Sequence, residues 1–344
     1  MKPTINILLS IALTVAISAC EHKVAMETNV HTDGSLDKTI VIETADTTQN
    51  FMGIGTQNGW TISTRPLKDS VKGKNEKDKK WELTLQKKFA SAEVANAELA
   101  TPSDTLFRVS SKFEKKFRWF YSYLYYSDTY HAINRMTFPP DDYVTKEDYS
   151  FIERLPAEGT AISKADSLHL SELNKKIIDV YGLRTIFEAQ FALDVKLIEE
   201  SNLENRWLDT LKKHKENIYD YLVKKQDVKD DFMFTVMDSL GIPLPQNMKG
   251  RFEELYKPEE AKLDFIMDAN EGKYTHVINM PWQVVYTNAD SVVGNRFIWN
   301  PPSIKFLLKE HTMYVETRRL NYWTLLVSAG VILFTGYLFF KKRT

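Results

Sequence analysis

The chain has 344 residues, 43% hydrophobic and 26% charged, with a formal net charge of −1. That length and apolar content suit a packed core, and they exclude a fully disordered chain or a strongly basic nucleic-acid binder. Cys20 is the only cysteine, which excludes an internal disulfide and a thiolate zinc site.

Lys2 supplies a positive start, and Ile5 to Ile17 follows as an apolar stretch broken only by Asn6, Ser10 and Thr14. It is too short to span a bilayer and suits the apolar region of a signal peptide. Residues 17–20, "ISAC", resemble a bacterial lipobox: a branched apolar residue, two small residues, then cysteine. Residues 1–19 therefore read as a lipoprotein signal peptide. Cys20 reads as the site that receives diacylglyceryl and palmitoyl-type chains, and polar residues 20–37 as a lipidated tether.

Strand patterns begin at Lys38 with "KTIVIET" and continue through "GWTIST" and "WELTLQKKF". The stretch 68–80, "KDSVKGKNEKDKK", is too charged to bury. Ser91 is placed to cap a helix through Leu99, after which "TLFRVSSKFEKKFRWFYSYLYY" reads as strand again. Residues 38–140 are thus the first part of a β-rich domain containing a strand-helix-strand unit. Within it Phe117, Trp119, Tyr121, Tyr123 and Tyr125 occupy alternate positions. Alternation predicts one face, either packed in the core or forming an amphipathic wall for a lipid or glycan.

Residues 141–272 change period and charge. They hold 28 acidic and 18 basic residues, a net of −10, which leaves +9 on the rest of the chain. Helical spacing joins Phe187, Phe191 and Val195. Asn202 is placed to cap a helix carrying Trp207, Leu211 and Ile218. A further helix with Val228, Phe232, Val236 and Leu240 closes at Gly241 and Pro243, and a short one runs from about Pro258 to Asp268. This is a helical insertion whose acidic surface is the expected site for a protein partner.

Residues 273–320 return to strand. Tyr274, His276, Ile278, Met280, Trp282, Val284 and Tyr286 alternate, with Pro281 marking an edge or bulge. "NADSVVGN" turns into "RFIWN", and "HTMYVET" leads to residues 321–340, which include 19 uncharged residues from Tyr322 to Phe340. As a helix these reach about 29 Å, enough to cross a bilayer, with Tyr322 and Trp323 at one interface. A signal peptide would leave only 341–344, "KKRT", inside the cell. The expected fold class is α+β: an antiparallel or mixed β domain, an inserted helical subdomain and one C-terminal transmembrane helix. The expected location is the bacterial inner membrane with the main domain periplasmic and low on the bilayer face.

Several pieces, in order, resemble the LppM-like envelope lipoprotein domain family. They are "DGS" (33–35) before a strand, a strand-helix-strand unit, a strand entering "MP" (280–281), then "TNADSVVGNRFIW" (287–299) and a membrane helix. The resemblance covers roughly 28–135 and 273–340, and this chain departs from it by about 130 inserted residues. It implies a turn involving Asn288, Gly294 and Asn295, with Trp299 in the core, and an envelope-anchored lipoprotein rather than an enzyme.

Signals of catalysis are weak. "GIGTQNG" (53–59) lacks phosphate-loop spacing and reads as a bulge or turn. The histidines at 22, 31, 131, 169, 214, 276 and 311 lack metal spacing, and His276 on an apolar strand reads as a satisfied core residue. Ser35 and Lys38 match SxxK without its companion motifs. Glu199–Glu200 and Asp230–Asp231 are neighbours on helices, pointing about 100° apart, so neither forms a proton-sharing pair. The expectation is a non-enzymatic scaffold or accessory subunit with no cofactor, no metal and no nucleic acid. The alternative is a lipid- or glycolipid-binding module.

Overall fold

A computed structural model describes residues 22–44, 52, 54, 58–67, 80–225, 232–245 and 248–342. Cys20, the apolar leader, the lysine-rich stretch 68–79, Val228 and Asp230–Asp231 lie outside the described residues, as does most of "GIGTQNG". The chain divides into two compact units. A helical unit comprises 134–155 and 161–268, and a β unit comprises 22–133, 156–160 and 269–342. The fold is α+β, with two sheets and a C-terminal apolar helix.

The β unit contains β1 (Lys23–Val30), β2 (Leu36–Thr44), β3 (Thr61–Pro66), β4 (Trp81–Phe89), α1 (Ala92–Leu99), β5 (Val109–Arg118) and β6 (Tyr121–Tyr130). After the helical unit come β7 (Lys273–Asn279), β8 (Gln283–Thr287), β9 (Ser291–Val293), β10 (Arg296–Trp299) and β11 (His311–Leu320). One sheet has the order β3-β4-β2-β1-β7-β10-β9; the other is β5-β6-β11-β8. β1 and β7 run parallel, and the other pairs are antiparallel.

Residues 23–30 correct the tether reading. They form β1, the central strand of the larger sheet, with Val24, Met26, Thr28 and Val30 buried. The outward positions Lys23, Glu27 and Asn29 give this strand its polar look. The "DGS" segment turns β1 into β2. Gly34 there has φ +95°, and a Cβ would sit 3.0 Å from the Phe113 ring, so glycine is required twice over. Ser91 caps α1 as expected, accepting from the Val94 amide.

The two sheets share a polar core. Thr28, Lys38 and His276 face inward from the larger sheet, and Ser111, Tyr126, Asp128 and Tyr130 from β5 and β6; none is more than 6% exposed. Lys38 Nζ lies 3.0 and 2.9 Å from the two Asp128 oxygens and donates to Thr28 Oγ1 (3.0 Å) and to the Tyr126 hydroxyl (3.1 Å). Asp128 Oδ1 accepts from Ser111 Oγ (2.5 Å) and Tyr126 OH (2.8 Å); Oδ2 accepts from Thr28 Oγ1 (3.2 Å) and pairs with His276 Nε2 (3.0 Å). His276 Nδ1 meets the Tyr130 hydroxyl at 3.0 Å. His276 is thus the satisfied core histidine expected from its strand. Burial pushes Lys38 below the ordinary lysine range against the pull of Asp128, and raises both tyrosines, which stay protonated donors. A buried ion pair contributes little net stability, but removing one member costs roughly 3–5 kcal/mol.

The helical unit contains α2 (Lys146–Arg154), α3 (Lys164–Lys175), a π-helical stretch Lys176–Gly182, α4 (Leu183–Glu200), α5 (Asn205–Lys213), α6 (Lys215–Lys225), α7 (Phe232–Ser239) and most of α8 (Met248–Glu271). Phe187, Phe191, Leu211, Ile218, Met233 and Met237 build its core. Two expectations change here. Asn202 does not cap a helix; it takes φ +52° in the turn before α5. The short helix expected at 258–268 is the second half of α8, which carries Pro258 internally. Gly241, at φ +71°, follows α7 closely and turns the chain after it.

Candidate functional site: the sheet face and the helix root

β11 ends at Leu320 and α9 (Tyr322–Lys341) begins two residues later, leaving no linker. α9 is long and apolar enough to cross a membrane, and nearly all of it is exposed in the protein. Its root is clamped to the turn between β5 and β6. Asn321 is buried, accepts from Ser122 Oγ at 2.8 Å and donates to the Trp119 carbonyl at 3.0 Å, while its amide reaches the Phe120 carbonyl at 2.8 Å. Trp119 Nε1 donates to Ser328 Oγ (2.9 Å), and the Trp323 ring stacks on Phe117 at 5.9 Å. Phe117, Trp119 and Phe120 remain 42–55% exposed around this root.

The five aromatic residues expected on one face are therefore split. The chain turns at Trp119–Phe120, and Phe117 pairs with Ser122 across the hairpin. Paired residues share a face, so Phe117 lies on the opposite side from Tyr121, Tyr123 and Tyr125. The three tyrosines are half-buried on the outer face of the smaller sheet, not in its core. There they join Tyr314 of β11 and Tyr286 of β8, with Tyr125 stacked on Tyr314 (6.3 Å) and Tyr286 against Tyr314 (5.5 Å). The Tyr286 hydroxyl holds the Tyr314 phenol in its neutral form, up to about 12.

Cations interleave the rings. Arg318 lies 4.9 Å from the Tyr121 ring centre, Arg118 5.6 Å from Tyr123 and Lys112 5.9 Å from Tyr125. Glu114 bridges Lys112 (2.7 Å) and Lys116 (2.6 Å), and those hydrogen bonds lower its carboxyl to about 2. Tyrosines that offer apolar rings with hydroxyls, beside guanidinium groups, suit a phosphate-bearing headgroup or a sugar face. Register carries this cluster: Arg318 stands opposite Tyr123 and Glu316 opposite Tyr125 across β6 and β11. Tyr286, Tyr314 and Arg318 come from β8 and β11, far from β6 in sequence, whereas Arg118 sits within the aromatic run itself and joins the face through its pairing with Tyr121.

The alternation read from Tyr274 to Tyr286 is also broken. Trp282 takes φ +76° between β7 and β8, so the chain leaves one sheet and enters the other, and the Trp282 ring faces Arg319 at 4.5 Å. Trp299 is buried as expected, its Nε1 donating to the carbonyl (2.9 Å) and side-chain oxygen (3.1 Å) of Asn288, which also accepts from the Tyr314 amide (3.0 Å). Ser35 and Lys38 are not together: Ser35 donates to Asp33 (2.7 Å) at the exposed turn, and Lys38 points into the core. Among the described residues no group of three histidine, cysteine or acidic side chains is placed to hold a metal.

No protein-family model and no curated protein matches the chain. Among solved structures, the folded domain of LppM from Mycobacterium tuberculosis aligns over 90% of this chain and 97% of that one, at 6% identity and a TM-score of 0.27. The likeness is remote, and nothing about family, fold or function follows from it.

Proposed function

We propose that this chain is a membrane-anchored protein of the bacterial envelope that acts without catalysis, as a scaffold or accessory subunit. It is held in the inner membrane by α9 and by lipid on Cys20, with both folded units on the periplasmic side. The observation that carries the reading is the clamped helix root. Asn321, Trp119 and Trp323 fix the β unit to the start of the helix, an arrangement suited to presenting a surface at a set height above the bilayer. The acidic helical unit is the partner surface in this reading.

A second reading is favoured by one feature, the tyrosine and arginine face that runs along β6 and β11 to the helix root. It would bind anionic lipid headgroups or glycolipid, each basic contact adding about 1 kcal/mol. Photoreactive residues at Tyr123 and Leu168, introduced one at a time in native membranes, separate the two. Protein adducts at Leu168, which is 62% exposed on the helical unit, support the scaffold. Lipid adducts at Tyr123 support the headgroup site. Absence of adducts at both positions would refute both readings.

A further inference from the structure

The buried cluster between the sheets is more elaborate than a structural ion pair requires. One lysine and one carboxylate, each with no exposed side-chain surface, meet at 2.9 Å in a site sealed by Tyr126, Tyr130 and the rings packed on Tyr130. Both carboxylate oxygens are gripped: Ser111 and Tyr126 hold Oδ1, while Thr28 and His276 hold Oδ2. No water-facing group of the β unit enters this set. A surface role is closed to it, and a reaction between its own members is open.

We propose that Lys38 and Asp128 join through an intramolecular isopeptide bond, with His276 as the proton carrier. Against burial, Lys38, His276 and Ser111 hold the Asp128 carboxyl below the ordinary range, so the reacting state is a minor one: a proton passes from the Lys38 ammonium to Oδ2 along their hydrogen bond and leaves a neutral amine beside a neutral acid. Rotation of the carboxyl about χ2 turns the face of Cγ toward Nζ. The nitrogen lone pair forms the Nζ–Cγ bond, and the carbonyl π pair moves onto Oδ1, where the Ser111 and Tyr126 hydroxyls donate to it. In one exchange His276 Nε2–H gives its proton to Oδ2 and the vacated nitrogen takes one from Nζ of the tetrahedral adduct. The Cγ–Oδ2 bond then breaks with its electron pair on oxygen. One water leaves, His276 returns to its starting state, and no oxidant or other reactant is consumed. Amine and acid do not condense in dilute water. Here they are held in contact, and well-placed intramolecular pairs reach effective concentrations on the order of 10⁵–10⁸ M. Exclusion of water then blocks the reverse hydrolysis.

The bond would tie β2 in one sheet to β6 in the other, 90 residues apart in sequence. The test uses the full chain purified from membranes in detergent, denatured and digested, with mass spectrometry of the peptides carrying Lys38 and Asp128. The expected species is a branched peptide whose mass is that of the two linear peptides less one water. It should be absent from Lys38→Met and Asp128→Ala. Wild-type chain that yields only the two linear peptides at their sequence masses would overturn the proposal, and this readout does not depend on any variant folding. His276→Gln, checked for folding by circular dichroism, should accumulate the linear peptides. A folded His276→Gln chain linked as completely and as fast as wild type would remove His276 from the proposed step.

Discussion

Acid should loosen the β unit well before ordinary carboxylates titrate. His311, at the start of β11, is 7% exposed, and burial, with Lys305 and His276 adding, lowers its pKa to about 4. In the unfolded chain it titrates near 6.5. The folded state therefore binds the proton less readily than the unfolded state between these values. Its contribution is complete above 6.5 and is lost as pH falls toward 4. One proton gives a slope of about 1.4 kcal/mol per pH unit, or about 3 kcal/mol over the window. His276, lowered by burial against the pull of Asp128, adds a slope of the same sign. The assay is urea unfolding of the detergent-solubilised chain between about pH 7 and pH 5, followed by tryptophan fluorescence. Trp207, the one tryptophan of the helical unit, is replaced by Phe so that the signal reports the β unit. His311→Gln should lower the slope by one proton's worth. A wild-type stability that is flat from pH 7 to 5, or a slope unchanged in His311→Gln, would refute the reasoning.

The helical unit should respond to pH in the opposite sense. Asp194 is fully buried, neither of its oxygens has a hydrogen-bond partner among the described residues, and burial raises its carboxyl well above the usual range. Its stabilising share is present at low pH and lost as pH rises, so Asp194→Leu should raise the helical unit's unfolding free energy in urea at neutral pH by about 1–3 kcal/mol. Asn321→Ala removes two side-chain hydrogen bonds at the helix root and should cost about 2 kcal/mol of β-unit stability while red-shifting Trp119 emission; an unshifted spectrum would mean that the clamp does not hold Trp119. Arg118→Ala with Arg318→Ala should abolish lipid photoadducts at Tyr123 without moving the melting curve; persisting adducts would remove the cations from the headgroup site. Cys20→Ala should lose acylation yet stay in the membrane fraction, since α9 remains; release into the soluble fraction would contradict a spanning α9.

Local signals in the sequence reached the elements whose causes are local. Ser91 and its helix, the alternation of β4 and the apolar run of α9 needed no partner to be read. Failures came where tertiary pairing decides. β1 hides behind polar outward residues, and its place between β2 and β7 depends on a strand 250 residues away. The aromatic run from Phe117 to Tyr125 contains no glycine or proline to announce its turn, so the period appears unbroken through Trp119–Phe120. Lys38 stands at an alternate position that reads as surface, because lysine is almost never fully buried unless paired. Its partners Asp128 and His276 lie in strands that only the fold brings together. His276 was legible as a core histidine from its apolar neighbours, but the charge it serves was not.

β1 starts at Lys23, so only Glu21 and His22 separate Cys20 from a strand locked into a sheet. β1 runs parallel to β7 in register from Lys23–Lys273 to Asn29–Asn279, and only three residues separate the end of β7 from Gln283 of β8, which meets β11 at Arg318, beside the helix root. The N-terminal end of β1, the end nearer Cys20 in sequence, and the helix root are therefore at opposite ends of a strand pair about 20 Å long. A spacer of two residues reaches only about 7 Å. If acyl chains and α9 enter the same bilayer, the larger sheet cannot stand upright on it. Its strands must recline along the surface like a plank nailed at both ends, leaving the β unit no freedom to swing about its own helix.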